Sequence, residues 1–266
     1  NVAIKFFSLK LLESEAIGVV RAFKERFIRE ARIAALINHP NVVQVYHAAL
    51  DDELPYFVME FLEGDSLLDH IYASKRIELS RICYYGLQLC DALRFASEEH
   101  QMIHRDLKPG NIIILDQDRL KLLDLGIAKI VDATKTGHQL TSAGLQVGSP
   151  YYMAPEQQTG EARLDHRCDI FSLGILLCQM LTQRAPFEGE TDYELHTSKM
   201  KGIPFAIEKL APHAPLPLVD LVYRMLEPDR EERLDSYQEI EDVLTECLEA
   251  MPDGDVYLEE RDKRPL

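Results

Sequence analysis

His104-Arg105-Asp106-Leu107-Lys108-Pro109-Gly110-Asn111 is the stretch on which the reading of this chain turns. Downstream of it, Ile112–Leu115 and Leu120–Leu123 read as a hairpin around the turn Asp116-Gln117-Asp118-Arg119. Thirteen residues after Asn111, across that hairpin, comes Asp124-Leu125-Gly126. Residues 127–150 then lose all periodicity and are rich in Thr, Gly and Ser, the pattern of a long functional loop. That loop ends in Gly148-Ser149-Pro150-Tyr151-Tyr152-Met153-Ala154-Pro155-Glu156.

Upstream, Val2–Phe7 is a β-branched and aromatic run that includes Val2-Ala3-Ile4-Lys5. Arg21–Ile37 is amphipathic, with Phe23, Phe27, Ile33, Leu36 and Ile37 suited to one helix face, and His39-Pro40-Asn41 stops it. Val42–Leu50 and Tyr56–Leu62 read as two strands joined by an acidic turn. Past Gly64 the texture is helical: Leu79–Phe95, Asp165–Thr182, Pro217–Leu226 and Ser236–Ala250 carry helical patterns.

With 266 residues, 46% hydrophobic and 28% charged, the chain can bury a real core and is neither disordered nor fibrous. Its formal charge of −16 argues against nucleic acid or an anionic membrane as the main partner. The acidity is uneven. Residues 227–266 hold five Lys/Arg against fifteen Asp/Glu and so supply −10 of the total, which reads as a solvated face. The most apolar stretch, Phe171–Leu181, is shorter than the roughly 18 residues a membrane span needs. Five cysteines with no C-x-x-C spacing read as buried free thiols of a reducing compartment.

In order and spacing these motifs resemble the protein kinase family, serine/threonine type. Lys108 after His-Arg-Asp-Leu, and Ser149 in Gly148-Ser149-Pro150, carry the serine/threonine assignment. The wording of Asp169–Gly174 and Met153–Gln157 is most like bacterial members. The resemblance runs from Asn1 to about Ala250 and implies an α+β, bilobal fold. Residues 1–62 would form a small antiparallel-sheet N-lobe with one helix, from the family's third strand to the hinge, and 63–250 a larger, mainly helical C-lobe. Residues 251–266 read as a polar, acidic tail. The family's glycine-rich loop precedes the Val-Ala-Ile-Lys strand, so the sequence reads as lacking the first two strands of the domain.

The resemblance also implies roles. Lys5 would contact the α- and β-phosphates of ATP, oriented by Glu30. Asp106 would accept the substrate hydroxyl proton, and Lys108 would steady the γ-phosphate. Asn111 and Asp124 are hard oxygen ligands suited to Mg²⁺. Adenine would lie between Ala3 and Ile113, with Met59 at the back of its pocket and the backbone of Glu60 and Leu62 along its edge. Ser149 would bond the catalytic aspartate, Asp169 would hold the catalytic-loop backbone, and Glu156 would pair with Arg233. Arg105 calls for an anionic partner, for which phosphorylated Thr141 is the candidate, with self-association allowing autophosphorylation. The expected partners are ATP and proteins bearing Ser or Thr. The expected location is the cytoplasm, including as the cytoplasmic part of a membrane-tethered protein. The reading from a different class is a pseudokinase or interaction scaffold without an effective glycine-rich loop.

Overall fold

The computed structural model describes residues 1–6, 27–28, 31, 34–50, 55–73, 76–123, 150–160 and 163–262. Strands β1 (Val2–Phe6), β2 (Val45–Leu50) and β3 (Pro55–Glu60) form one antiparallel sheet in the order β1-β3-β2. Strand alternation sorts β1 into two faces. Val2, Ile4 and Phe6 are exposed, while Ala3 and Lys5 are half-buried opposite Met59 and Phe57. Phe27, Ile28, Ala31 and Ala34–Leu36 are helical; Phe27, Ala31 and Ala34 are buried, and the Phe27 ring lies 4.8 Å from that of Phe57. Their spacing of four and three residues puts them on one helix face, which docks the helix on the sheet.

The strand expected from Val42 begins only at Val45, because the residues before it pair elsewhere. Val42 bridges Leu122, Val43 N–H donates to the Leu122 carbonyl (3.0 Å) and Leu122 N–H donates to that of Asn41 (2.8 Å). The Asn41 amide nitrogen donates to Gln88 Oε1 (2.8 Å) and the Leu120 carbonyl (2.9 Å). The segment after Pro40 therefore fastens the first lobe to the second.

A second small sheet joins β4 (Asp65–Ser66), β5 (Ile112–Ile114) and β6 (Leu120–Leu122), all antiparallel. Only glycine fits at position 64, since a Cβ there would collide with the Ile114 carbonyl. The helices are α1 (Leu67–Tyr72), α2 (Leu79–His100), α3 (Pro155–Gln158), α4 (Arg167–Thr182), α5 (Asp192–Met200), α6 (Ile207–Leu210), α7 (Leu216–Met225), α8 (Tyr237–Glu249) and α9 (Gly254–Asp262). Helix α4 is buried on every side from Cys168 to Thr182, which makes it the axis of the second lobe. All five cysteines are buried, and burial pushes the thiols of Cys83 and Cys178 up to about 12. Among the described residues no helix is long and apolar enough to cross a membrane.

The C-terminal stretch departs from the tail reading. Gly254–Asp262 is helical and docks on α2, with the Tyr257 ring 4.9 Å from that of Tyr84. Just before it, Asp253 accepts from the Ser80 hydroxyl (2.6 Å). One aromatic among charged residues gives too weak a period for this helix to be read from sequence.

Candidate active site

Residues 101–108 are irregular, so their backbone groups need partners outside the regular ladders. Asp169, in the first turn of α4, supplies two: its carboxylate accepts from the amides of His104 (2.7 Å) and Arg105 (2.8 Å). Burial pushes this carboxyl up, while the nearby His104 and Arg105 pull it back. Arg105 takes a φ of +64°, uncommon for a residue with a Cβ, and its carbonyl accepts from Gln157 Nε2 (2.9 Å). Contacts on both sides of the residue hold it in that conformation.

His104 is fully buried and braces the loop from within. Its Nδ1 accepts from the Asp106 amide (3.2 Å), which leaves Nε2 to donate to the Leu123 carbonyl (2.9 Å). The outcome is a fixed Asp106, only 9% exposed. Its Oδ2 accepts from Lys108 Nζ (2.7 Å) and Asn111 Nδ2 (3.0 Å). Asn111 Nδ2 also donates to the Asp106 carbonyl (2.9 Å). With both acceptors on its nitrogen side, the Asn111 amide is oriented, and among the described residues its Oδ1 accepts no hydrogen bond, so this oxygen could hold a hard cation. The Leu123 amide donates to the Asn111 carbonyl (2.8 Å), so Leu123 lies beside Asn111.

Asp106, Lys108, Asn111 and Asp169 are thus gathered in one constellation. Glu30, Asp124, Thr141 and Ser149 lie outside the described residues. On β1, Ala3 and Lys5 share the inner face of the sheet with Met59 and Phe57. Glu60 at the end of β3 is more committed than the sequence implied. Its amide donates to the Gln44 carbonyl (2.9 Å), and its carboxylate accepts from the Gln44 amide (3.1 Å) and from Lys121 Nζ (2.9 Å). Its backbone amide is therefore already engaged within the protein. Leu62 and Ile113 are half-buried, and Ile113 pairs with Lys121 in the β5–β6 hairpin.

Glu156 and Arg233 form a buried bidentate pair at 2.7 and 3.0 Å. The guanidinium also donates to the carbonyls of Glu227 (2.9 Å), Arg167 (3.0 Å) and Pro228 (3.1 Å), and lies 4.8 Å over the Phe171 ring. Every donor direction is used, which is what lets a charge remain in the interior.

Three contributors were not legible as site residues: Asn41, Gln157 and Lys199. Asn41 reads as part of a helix stop and Gln157 as part of a motif. Lys199 lies on α5, whose start does carry a signal, the capping box Thr191-x-x-Glu194.

A sheet lobe joined through Glu60 to a helical lobe, with an aspartate, lysine and asparagine fixed in the loop between helix and hairpin, is the layout of a protein kinase domain. The family model described as "Protein kinase domain" matches residues 1–248, and the chain belongs to that family. It is 33% identical over 245 residues to a probable serine/threonine-protein kinase of Clostridium acetobutylicum, covering 92% of this chain and 36% of that protein. It is 38% identical over 194 residues to the serine/threonine-protein kinase PknB of Mycolicibacterium smegmatis, covering 69% and 30%. The chain spans about a third of the length of the curated relatives it matches. The crystal structure of the Mycobacterium tuberculosis PknI kinase domain superposes with a TM-score of 0.67 at 21% identity, covering 92% of this chain and 84% of that one. Rad53 residues 1–466 in complex with AMP-PNP gives 0.71 at 24%, covering 91% and 57%.

Proposed function

We propose that this chain is a catalytic domain that transfers the γ-phosphoryl group of ATP to serine or threonine hydroxyls of proteins. The observation that carries the reading is the orientation of Asp106. Its Oδ2 is held by Lys108 and Asn111, and among the described residues its Oδ1 accepts no hydrogen bond. An acceptor hydroxyl hydrogen-bonds Oδ1 and gives up its proton there as its oxygen bonds to the γ-phosphorus and the β–γ bridging bond breaks, leaving ADP. Lys108, 2.7 Å from Oδ2, is a cation beside the charge that develops on the transferred group.

The oxygen of Asn111, freed by the bonds its nitrogen makes, fits Mg²⁺, and Asp124 is assigned as the second ligand. When bound, the metal neutralises phosphate charge and orients the phosphates. Lys5 is assigned to the α- and β-phosphates with Glu30 as its orienting carboxylate. Ala3, Met59, Leu62 and Ile113, with the Glu60 carbonyl, form the adenine pocket. Phosphorylation of Thr141 in a self-associated pair, answering Arg105, is the proposed activation step, with Ser149 bonding Asp106. Dependence on ATP fits a cytoplasmic placement.

Labelling of a basic protein acceptor by radioactive Mg-ATP tests the reading. Asp106→Asn is expected to reduce transfer at least about 100-fold, the low end for a lost general base. Equal transfer by both proteins overturns the catalytic assignment in favour of a scaffold.

A further inference from the structure

Lys199 is a fully buried cation on α5, 0% exposed, and among the described residues it makes no ion pair. Its ammonium donates instead to two backbone carbonyls of one turn, Pro150 (2.5 Å) and Met153 (2.7 Å). Burial pulls the amine down to about 7, with Asp192 on the same helix opposing the shift. An ammonium in the interior is unfavourable unless its contacts compensate. A position that had only to fill space would be more stable as leucine or methionine. What the lysine adds is a fixed location for those two carbonyls.

The turn it holds leads to the catalytic loop through a short chain of contacts. The Tyr152 carbonyl accepts from Ser172 Oγ (2.7 Å), and the Tyr152 hydroxyl donates to Gln179 Oε1 (2.8 Å). One residue beyond Met153, the Ala154 amide donates to Gln157 Oε1 (2.9 Å). The other end of the Gln157 amide donates to the carbonyl of Arg105, next to Asp106. The inner side of the turn is pinned in this way, while Tyr151 on the same turn is 40% exposed.

We propose that Lys199 is a positioning residue for the protein acceptor, its ammonium fixing Pro150–Met153 as the surface on which the acceptor chain lies at a set place relative to Asp106. The inference rests on the phosphotransferase reading above and adds to it how one element selects where the acceptor sits.

Steady-state kinetics with myelin basic protein test it, using Lys199→Met, which keeps the apolar stem, and Lys199→Gln, which keeps a donor. Lys199→Met is expected to raise the acceptor KM at least about tenfold, the low end for the loss of charged hydrogen bonds, with the ATP KM within about twofold of wild type. Lys199→Gln is expected to fall between the two. Hydrogen exchange of the Tyr151 to Ala154 amides should speed up in Lys199→Met without change elsewhere. An unchanged acceptor KM in an active variant overturns the proposal, as does an ATP KM that rises in step. Failure of both variants to fold also overturns it, because Lys199 would then support the whole lobe. An inactive wild type would sink the phosphotransferase reading itself, leaving the exchange experiment to decide whether Lys199 holds the turn.

Discussion

Two buried charged anchors hold the two ends of the segment 150–158, and they are built differently. At Glu156 the charge meets its opposite: Arg233 forms a bidentate pair and spends its remaining donors on three carbonyls. At Pro150–Met153 the cation Lys199, among the described residues, is hydrogen-bonded by carbonyl dipoles and makes no ion pair. A matched pair is stable only while both partners stay, so it acts as a permanent brace. A cation solvated by carbonyls alone sits near its own proton loss, so its hold depends on conditions. The two ends of the segment are therefore held by contacts of different electrostatic kind.

The largest effect should come from breaking the brace. Arg233→Met leaves Glu156 buried without a partner, and about 3–5 kcal/mol of stability is expected to disappear in urea unfolding. A loss below about 1 kcal/mol would mean that Glu156 finds other partners, and the contrast between the anchors would fall.

The next effect separates the anchors by pH. The Lys199 amine keeps its proton up to its ordinary 10.5 in the unfolded chain but only to about 7 in the fold. Below pH 7 both states hold the proton and the burial penalty is fully present. Between about pH 7 and 10.5 the unfolded state binds more protons, so stability rises with pH. Wild type should gain on Lys199→Gln by up to about 1.4 kcal/mol per pH unit, read as the difference in urea midpoints between pH 7 and 9. A difference that stays flat across that range would show that Lys199 does not titrate there.

The smallest effect sharpens what Lys199 alone contributes. Tyr152→Phe deletes the hydroxyl bonded to Gln179, on the same turn. About 1 kcal/mol of stability should be lost, with the acceptor KM nearly unchanged. If the acceptor KM rose as much as in Lys199→Met, any loosening of the turn would suffice and Lys199 would have no special part.

Much of this molecule could be read along the chain, and the reasons differ by region. The β5–β6 hairpin, α2, α4, α7 and α8 follow from periodicity that a single segment carries within itself. Asp106, Lys108 and Asn111 lie within six residues, so a local motif was enough to name them together. Helix α1 is only six residues long and α5 is polar, and the local signals they carry are their capping residues, Ser66 with Asp69 and Thr191 with Glu194. Val42–Gln44 looked like strand because β-branched residues suit any sheet edge, and nothing local says that the Val43 amide turns to Leu122 in the other lobe.

By itself the sequence determined the order of motifs, the helical and extended periods, and the residue types available for phosphoryl transfer, since these are set by neighbours a few positions apart. Tertiary structure alone decided that Asp169 grips the amides of His104 and Arg105 from 64 and 65 residues away, and that a lysine on a polar helix is buried against carbonyls 46 and 49 residues earlier. The physical reason is that burial and partner choice belong to the packed whole. A charge on a helix reads as solvated until another segment is folded over it.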